Sequence, residues 1–308
     1  MRRAVFLVCA FLVATVLAAE DGVDHPVIGR YGGSTISHQE MAEYDQYEIL
    51  AGADTTETLR GEVWMTLYRA PDDANTFAVY ATYRDFLTQQ GFEILFSCEP
   101  GKCANGLLGD VYALAPFADE GNFAYSAPLT NGSDAQACFI SAKGESGGST
   151  LYVSVAIASG WYEHTEYRLD VIEVGSNPAS IISNAQSDSE DGADHPVVGR
   201  YDGSAVTHQE TTQFGQYEIL TGSDATETIQ GDVTMTLYEA PNNASSFGVY
   251  ATYRDFLTQQ GFEILYSCEP GVCEGGLLGE VYGLAPFADN GNYSHPALPC
   301  SFQGGLDH

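Results

Sequence analysis

The sequence predicts an α+β fold: two repeated domains, each a mainly antiparallel sheet with one main helix packed on it, the second copy shortened at its C-terminal side. Three observations predict it. The segment Asp24-His25-Pro26-Val27 returns as Asp194-His195-Pro196-Val197, an offset of 170 residues (194 minus 24) that holds without a gap to Asn122 and Asn292. Glu62 to Tyr68 alternates, with Val63, Met65 and Leu67 on one side and Trp64, Thr66 and Tyr68 on the other, the period of a strand. Val79, Tyr80, Tyr83, Phe86 and Leu87 recur at helical spacing and form one apolar stripe.

The elements follow in chain order. Arg2 and Arg3, the apolar run Val5 to Leu17, then Ala18 and Ala19 have the order of a bacterial secretory signal peptide, assigned to residues 1–19. At about 13 residues the run is short of the roughly 20 needed to span a bilayer, and no later segment is long and apolar enough to cross as a helix. The first repeat domain is 20–174. In it, Tyr47 to Leu50 is a short strand candidate. In Glu62 to Tyr68 the Val63/Met65/Leu67 face is assigned to the core, because Val233, Met235 and Leu237 persist in the second copy while Trp64 becomes Thr234. The other face is assigned to a wetter surface. Asp73 or Thr76 can cap the helix that follows. Gly91 can end it in a left-handed conformation. Phe92, Ile94 and Phe96 alternate along another strand. Cys138–Ala142, Leu151–Ser159 and Tyr167–Val174 read as three more, with Gly147-Gly148 turning between the first two. Residues 175–190, rich in Ser, Asn, Asp and Ala, read as a flexible linker. The second repeat domain is 191–308, where the last two strand candidates have no counterpart. The longest identical run, Val79 to Leu95 against Val249 to Leu265, covers most of the helix and the start of the next strand.

Charge narrows the partners. The chain carries 11 Lys+Arg against 42 Asp+Glu, a net −31. Such a surface repels phosphate backbones and anionic headgroups, so nucleic acid is excluded as a partner. It favours solubility, suits a salty medium and can attract cations or basic partners. With 44% hydrophobic and 12% aromatic residues, the chain has the material for packed cores.

Of seven cysteines, Cys9 lies in the leader. The others fall three and three. Export makes disulfides plausible, and a turn through Glu99-Pro100-Gly101-Lys102 can bring Cys98 and Cys103 within bonding range. Disulfides are therefore predicted for Cys98–Cys103 and for Cys268–Cys273. Cys138 and Cys300 are left over, either buried or paired with each other. A zinc site is not expected: each copy offers three cysteines with no histidine beside them.

Catalytic motifs are absent. His25 and His38 recur as His195 and His208, with Asp24 and Glu40 nearby, and a His–carboxylate pair could serve as general base or metal ligand. No His-Glu-x-x-His and no Gly-x-Ser-x-Gly accompanies them. The favoured reading is that Asp24-His25-Pro26 and Arg30-Tyr31 fix an entry turn, with His25 hydrogen-bonded. Asp72-Asp73 could ligate calcium, but the second copy has Asn242-Asn243 there, and no EF-hand spacing occurs. No catalytic, cofactor-binding or metal-binding residue is assigned.

Several segments together resemble a known pattern: Asp24-His25-Pro26 with Arg30-Tyr31, Gly61-Glu62-Val63, Tyr68-x-Ala70-Pro71, Tyr80-x-x-Tyr83, Gly91 to Cys98, and Tyr167 to Glu173. The chain resembles the uncharacterised domain that precedes the peptidoglycan-binding module in some OmpA-type envelope proteins of Gram-negative bacteria. That resemblance implies a periplasmic or outer-membrane-associated location and no known enzymatic activity. The chain departs from it by repeating the domain and by lacking the peptidoglycan-binding module. The expected function is a non-enzymatic, exported envelope module that binds a protein or polysaccharide. The alternatives are a secreted, acidic, cation-dependent adhesin or matrix protein and, after it, a hydrolase using His25 with Asp24 or Glu40.

Overall fold

The computed structural model describes residues 22–103, 137–159, 164–175, 182–183, 194–195, 197–223 and 225–269. The leader (1–19), Cys273, Cys300 and most of the expected linker lie outside the described residues. The fold is α+β and mainly antiparallel. A long hairpin, β1 (Thr35–Gly52) and β2 (Thr55–Arg69), leads into α1 (Thr76–Gln89), then β3 (Glu93–Cys98), β4 (Cys138–Ser146), β5 (Ser149–Ser159) and β6 (Thr165–Val174). These strands form one six-stranded sheet in the order β1-β2-β6-β5-β4-β3, antiparallel throughout. Further along are a short pair, β7 (Ile182–Ser183) with β8 (Arg200–Tyr201), a second long hairpin, β9 (Ala205–Gly222) with β10 (Ala225–Glu239), and α2 (Ser246–Gln259). β7 falls within the stretch read as flexible linker, and its Ile182 is buried against the second copy's entry turn.

The helices begin and end as local chemistry dictates, with one change. The cap of α1 is Asn75, not Asp73 or Thr76: its side chain accepts from the Ala78 N–H at 2.9 Å. Thr76 is already the first helical residue. Ser245 does the same for α2, accepting from the Gly248 N–H at 2.8 Å. Gly91 ends the α1 region with φ +82°, and the Phe92 N–H donates to the Leu87 carbonyl at 2.9 Å. Gly147 and Gly148, at φ +63° and +96°, turn β4 into β5.

Both faces of the first sheet are covered. On one face, α1 lays Val79, Tyr80, Tyr83 and Leu87 against Tyr68, Ile140, Val153, Val155, Tyr167, Leu169 and Val171. On the other, the distal half of the β1–β2 hairpin folds back, so that Tyr47, Ile49 and Leu59 pack with Val63, Met65, Tyr152 and Ile172. The expectation of a wet face on β2 is therefore corrected. Thr66 and Tyr68 are as buried as Val63, Met65 and Leu67, and Trp64 is packed against the same core as Tyr68. The reason is position: β2 is an interior strand between β1 and β6, covered by α1 on one side and by the hairpin on the other. Gly61 permits that crowding. A Cβ there would lie 2.1 Å from the Glu173 carbonyl oxygen on β6.

The second hairpin repeats the first in register, including one bulge. In β1, Glu43 and Tyr44 stand opposite Glu62 alone; in β9, Gln213 and Phe214 stand opposite Asp232 alone. A bulge of this kind re-aims a side chain. Among the described residues the β9–β10 sheet has two strands, and Glu263–Cys268, the counterpart of β3, carries no strand. In the first copy β3 pairs with β4, and the described residues supply no equivalent of β4 for it. Helix α2 packs instead on β1 of the first copy. Phe247 and Ala251 are buried with Tyr44, and the Phe247 and Tyr44 rings lie nearly parallel at 6.5 Å.

Candidate functional site

The recurring polar residues meet at the entry turn, residues 24–34, and at its repeat, 194–204. The Arg30 Nε donates to both carboxylate oxygens of Asp24 at 2.8 Å, and the Tyr68 hydroxyl donates to Asp24 Oδ1 at 2.9 Å. The Arg30 guanidinium lies 5.6 Å over the Tyr68 ring. His25 Nδ1 accepts from the Val27 and Ile28 N–H groups at 3.2 Å each. Because Nδ1 is an acceptor, the neutral ring carries its proton on Nε2. Burial pushes the His25 pKa down, opposed by the charge of Glu173. His25 also meets the Trp64 ring edge-on at 5.2 Å.

Three tyrosines tie this turn to the core. The Tyr31 N–H donates to the Tyr167 hydroxyl at 2.9 Å, and the Tyr83 hydroxyl donates to the Gly29 carbonyl at 3.0 Å. Tyr68 and Tyr167 stack at 4.9 Å. The second copy repeats the clasp. Arg200 binds Asp194 at 2.8 Å, Tyr238 donates to Asp194 at 3.1 Å, and His195 Nδ1 accepts from Val197 and Val198 at 3.2 Å. Among the described residues nothing takes the place of Tyr167 there, and Tyr253, the counterpart of Tyr83, both accepts from the Tyr201 N–H and donates to the Gly199 carbonyl.

The structure does not bring His25 to Asp24 or Glu40 as a base and its partner. Asp24 is engaged by Arg30 and Tyr68, and Glu40 faces His38 at 2.7 Å. His208 and Glu210 repeat that second pair at 3.0 Å. Asp72 sits beside Arg69 and His164, at 3.3 and 3.1 Å, and not in a carboxylate cluster with Asp73. Among the described residues no group of three or more His, Cys, Asp or Glu side chains converges as a metal site.

Cys98 and Cys103 form a disulfide with their α-carbons 5.1 Å apart. Cys268 is disulfide-bonded as well, while Cys273 lies outside the described residues. Cys138 is a buried thiol whose Sγ lies 3.8 Å from the Thr76 carbonyl oxygen, and burial pushes its pKa up to about 11. Beside the Cys98–Cys103 turn is an open hollow lined by Tyr80, Phe96, Cys98, Glu99 and Lys102.

Sequence reasoning missed one charged constellation. Arg168 and Asp170, two apart on β6, point to the hairpin-covered face. The Arg168 Nε donates to Asp170 Oδ2 at 2.9 Å, and the Tyr47 hydroxyl donates to the same oxygen. Arg168 and Asp170 are fully buried. Burial raises the Asp170 pKa, against the pull of Arg168. Burial works against the Arg168 charge too, but Asp170 and Tyr47 hold it up. The signal in the sequence was two opposite charges at strand spacing inside an apolar strand, Tyr167 to Val171. With no access from solvent, the group is a structural tie between β6 and the hairpin.

No family model and no curated protein matches the chain. No helix among the described residues is long and apolar enough to cross a membrane.

Proposed function

We propose that this chain is an exported, non-enzymatic module of the bacterial cell envelope, periplasmic or outer-membrane-associated, that binds a protein or polysaccharide partner. Its two sequence copies act as two domains of one fold, 20–174 and 191–308, the second with the smaller sheet. The observation that carries the reading is the direction in which the repeated polar groups point. Asp24, His25 and Arg30, and their counterparts Asp194, His195 and Arg200, hydrogen-bond within their own turns, and Asp24 and Asp194 also accept from Tyr68 and Tyr238. They hold the chain entry in place and offer no poised base or nucleophile. The hollow beside Cys98–Cys103 combines aromatic rings with a carboxylate and an ammonium group, a mix suited to a polar polymer or an extended peptide. The leader-like residues 1–19 and the resemblance to the OmpA-associated domain support the location.

The test is fractionation followed by binding. The mature chain is expected in the periplasmic or outer-membrane fraction, and purified chain should be retained by isolated envelopes. Protease treatment of the envelopes abolishes retention if the partner is a protein; periodate oxidation abolishes it if the partner is a polysaccharide. Recovery in the culture medium with no retention by envelopes refutes the proposal.

A further inference from the structure

The seam between the two copies has a half in each copy that is left exposed. In the seam, Phe247 at the start of α2 covers Tyr44 on the β1 bulge, and each ring is only 8% exposed. The Ser245 hydroxyl donates to the Tyr44 carbonyl at 3.2 Å, and the Asn243 amide donates to Glu43 at 2.9 Å. Arg60 lies 5.2 Å over the Phe247 ring and pairs with Glu269 at 3.3 Å. At the repeat offset, the counterpart of Phe247 is Phe77 on α1, and the counterpart of Tyr44 is Phe214 on the β9 bulge. Phe77 is 51% exposed and Phe214 is 91% exposed.

We propose that the Phe77 end of α1 in one chain docks on the Phe214 bulge of a second chain, so that chains associate head to tail. The contact is heterologous, because the donor face belongs to the first copy and the acceptor face to the second. The surrounding residues fit. The Asn243–Glu43 hydrogen bond becomes Asp73 with Gln213, the same amide–carboxylate pair with its sides exchanged. Arg60 with Glu269 becomes Gln230 with Glu99, an amide facing a carboxylate. One position differs in size. Gly248 lets α2 approach closely, since a Cβ there would lie 2.3 Å from the Tyr44 carbonyl oxygen, and its counterpart is Ala78. The chain-to-chain contact is therefore looser than the seam within the chain. The β9 bulge also takes its own path: Phe214 has φ +54° and is followed by Gly215, where the first copy has Tyr44-Asp45. This proposal stands on the seam geometry and not on the envelope reading, which can fail without it.

Sedimentation of the mature chain over a concentration series tests it, in enough salt to screen its strong negative charge (−31 for the full sequence). Mass is expected to climb with concentration beyond a dimer. Phe214→Ser and Phe77→Ser, both at exposed positions, should each abolish the climb while leaving the far-ultraviolet spectrum unchanged. Mixed together, the two variants should form a one-to-one dimer that grows no further, since one supplies the only intact donor and the other the only intact acceptor. Ala78→Gly should strengthen association. A wild-type chain that stays monomeric to its solubility limit overturns the proposal. So do variants that associate like wild type, or a mixture that gives no hybrid.

Discussion

Removing the Asp170 carboxylate is the most informative single change to the first copy. Asp170→Ala takes away the carboxylate that pairs with the fully buried Arg168 guanidinium. Breaking a buried ion pair from one side costs about 3–5 kcal/mol. For a domain of roughly this size, that lowers the melting temperature by about 6–20 °C. Tyr47→Phe deletes only the hydroxyl that donates to Asp170 Oδ2. It should cost about 1.5–3 kcal/mol, the range for a hydrogen bond to a charged group. Arg168→Met with Asp170→Leu removes both charges together and should come within about 1 kcal/mol of wild type. Urea unfolding followed by tryptophan fluorescence is the assay. Both tryptophans, Trp64 and Trp161, fall in the first copy, so the signal is specific to it. An Asp170→Ala cost below about 1 kcal/mol, or a double variant as weak as the two single ones added, refutes a buried pair.

Other expectations concern the turn, the staple and the crowded strand. His25 should make stability fall in acid: burial lowers its folded-state pKa, so its contribution is complete above the unfolded value near 6.5 and is lost as pH drops through the folded value. His25→Asn can still accept the Val27 and Ile28 N–H groups but cannot titrate, so the wild-type-minus-variant stability difference should shrink on acidification; a difference independent of pH would count against it. Cys98→Ser should cost about 2 kcal/mol or less, the loop-entropy value for a bond between residues 5 apart, read from urea midpoints with and without reductant. Gly61→Ala should cost about 1–3 kcal/mol because its Cβ meets β6 backbone. Its counterpart Gly231→Ala, with nothing within 4 Å, should be neutral or better, and equal losses at the two sites would contradict the sheet topology.

Much of the first copy was legible because its signals are local. The α1 stripe, the glycine after it and the Gly147-Gly148 turn lie where periodicity and backbone chemistry place them. So does the disulfide between residues 5 apart. The length of β1 was not legible, because its first half carries His38, Gln39 and Glu40, which show no clean alternation. Those residues are strand because the register sets them against Leu67, Thr66 and Met65. The entry turn was readable as a hydrogen-bonded turn, but not its far partners. Tyr68 lies 44 residues from Asp24, and Tyr167 lies 136 from Tyr31. The Tyr47–Asp170 tie spans 123 residues and left only an unexplained charge pair in an apolar strand.

The duplication separates what sequence dictates locally from what context adds. Phe77 and Phe247 occupy the same position in equivalent helices, yet one is half exposed and the other buried. Gly61 and Gly231 occupy the same position in equivalent hairpins, yet only Gly61 is pressed against a neighbouring backbone. In each pair the local conformation is shared, and the difference lies in what covers it: β6 over the first hairpin, β1 under the second helix. Two of the differences between the copies fall at that boundary. Gly248 replaces Ala78 where α2 meets Tyr44, and Phe214-Gly215 replaces Tyr44-Asp45 on the bulge that receives no helix among the described residues. Within the helices only Thr76/Ser246 and Ala78/Gly248 differ, and the second sets how closely α2 approaches Tyr44, which is what two copies diverging toward complementary halves of one joint would leave.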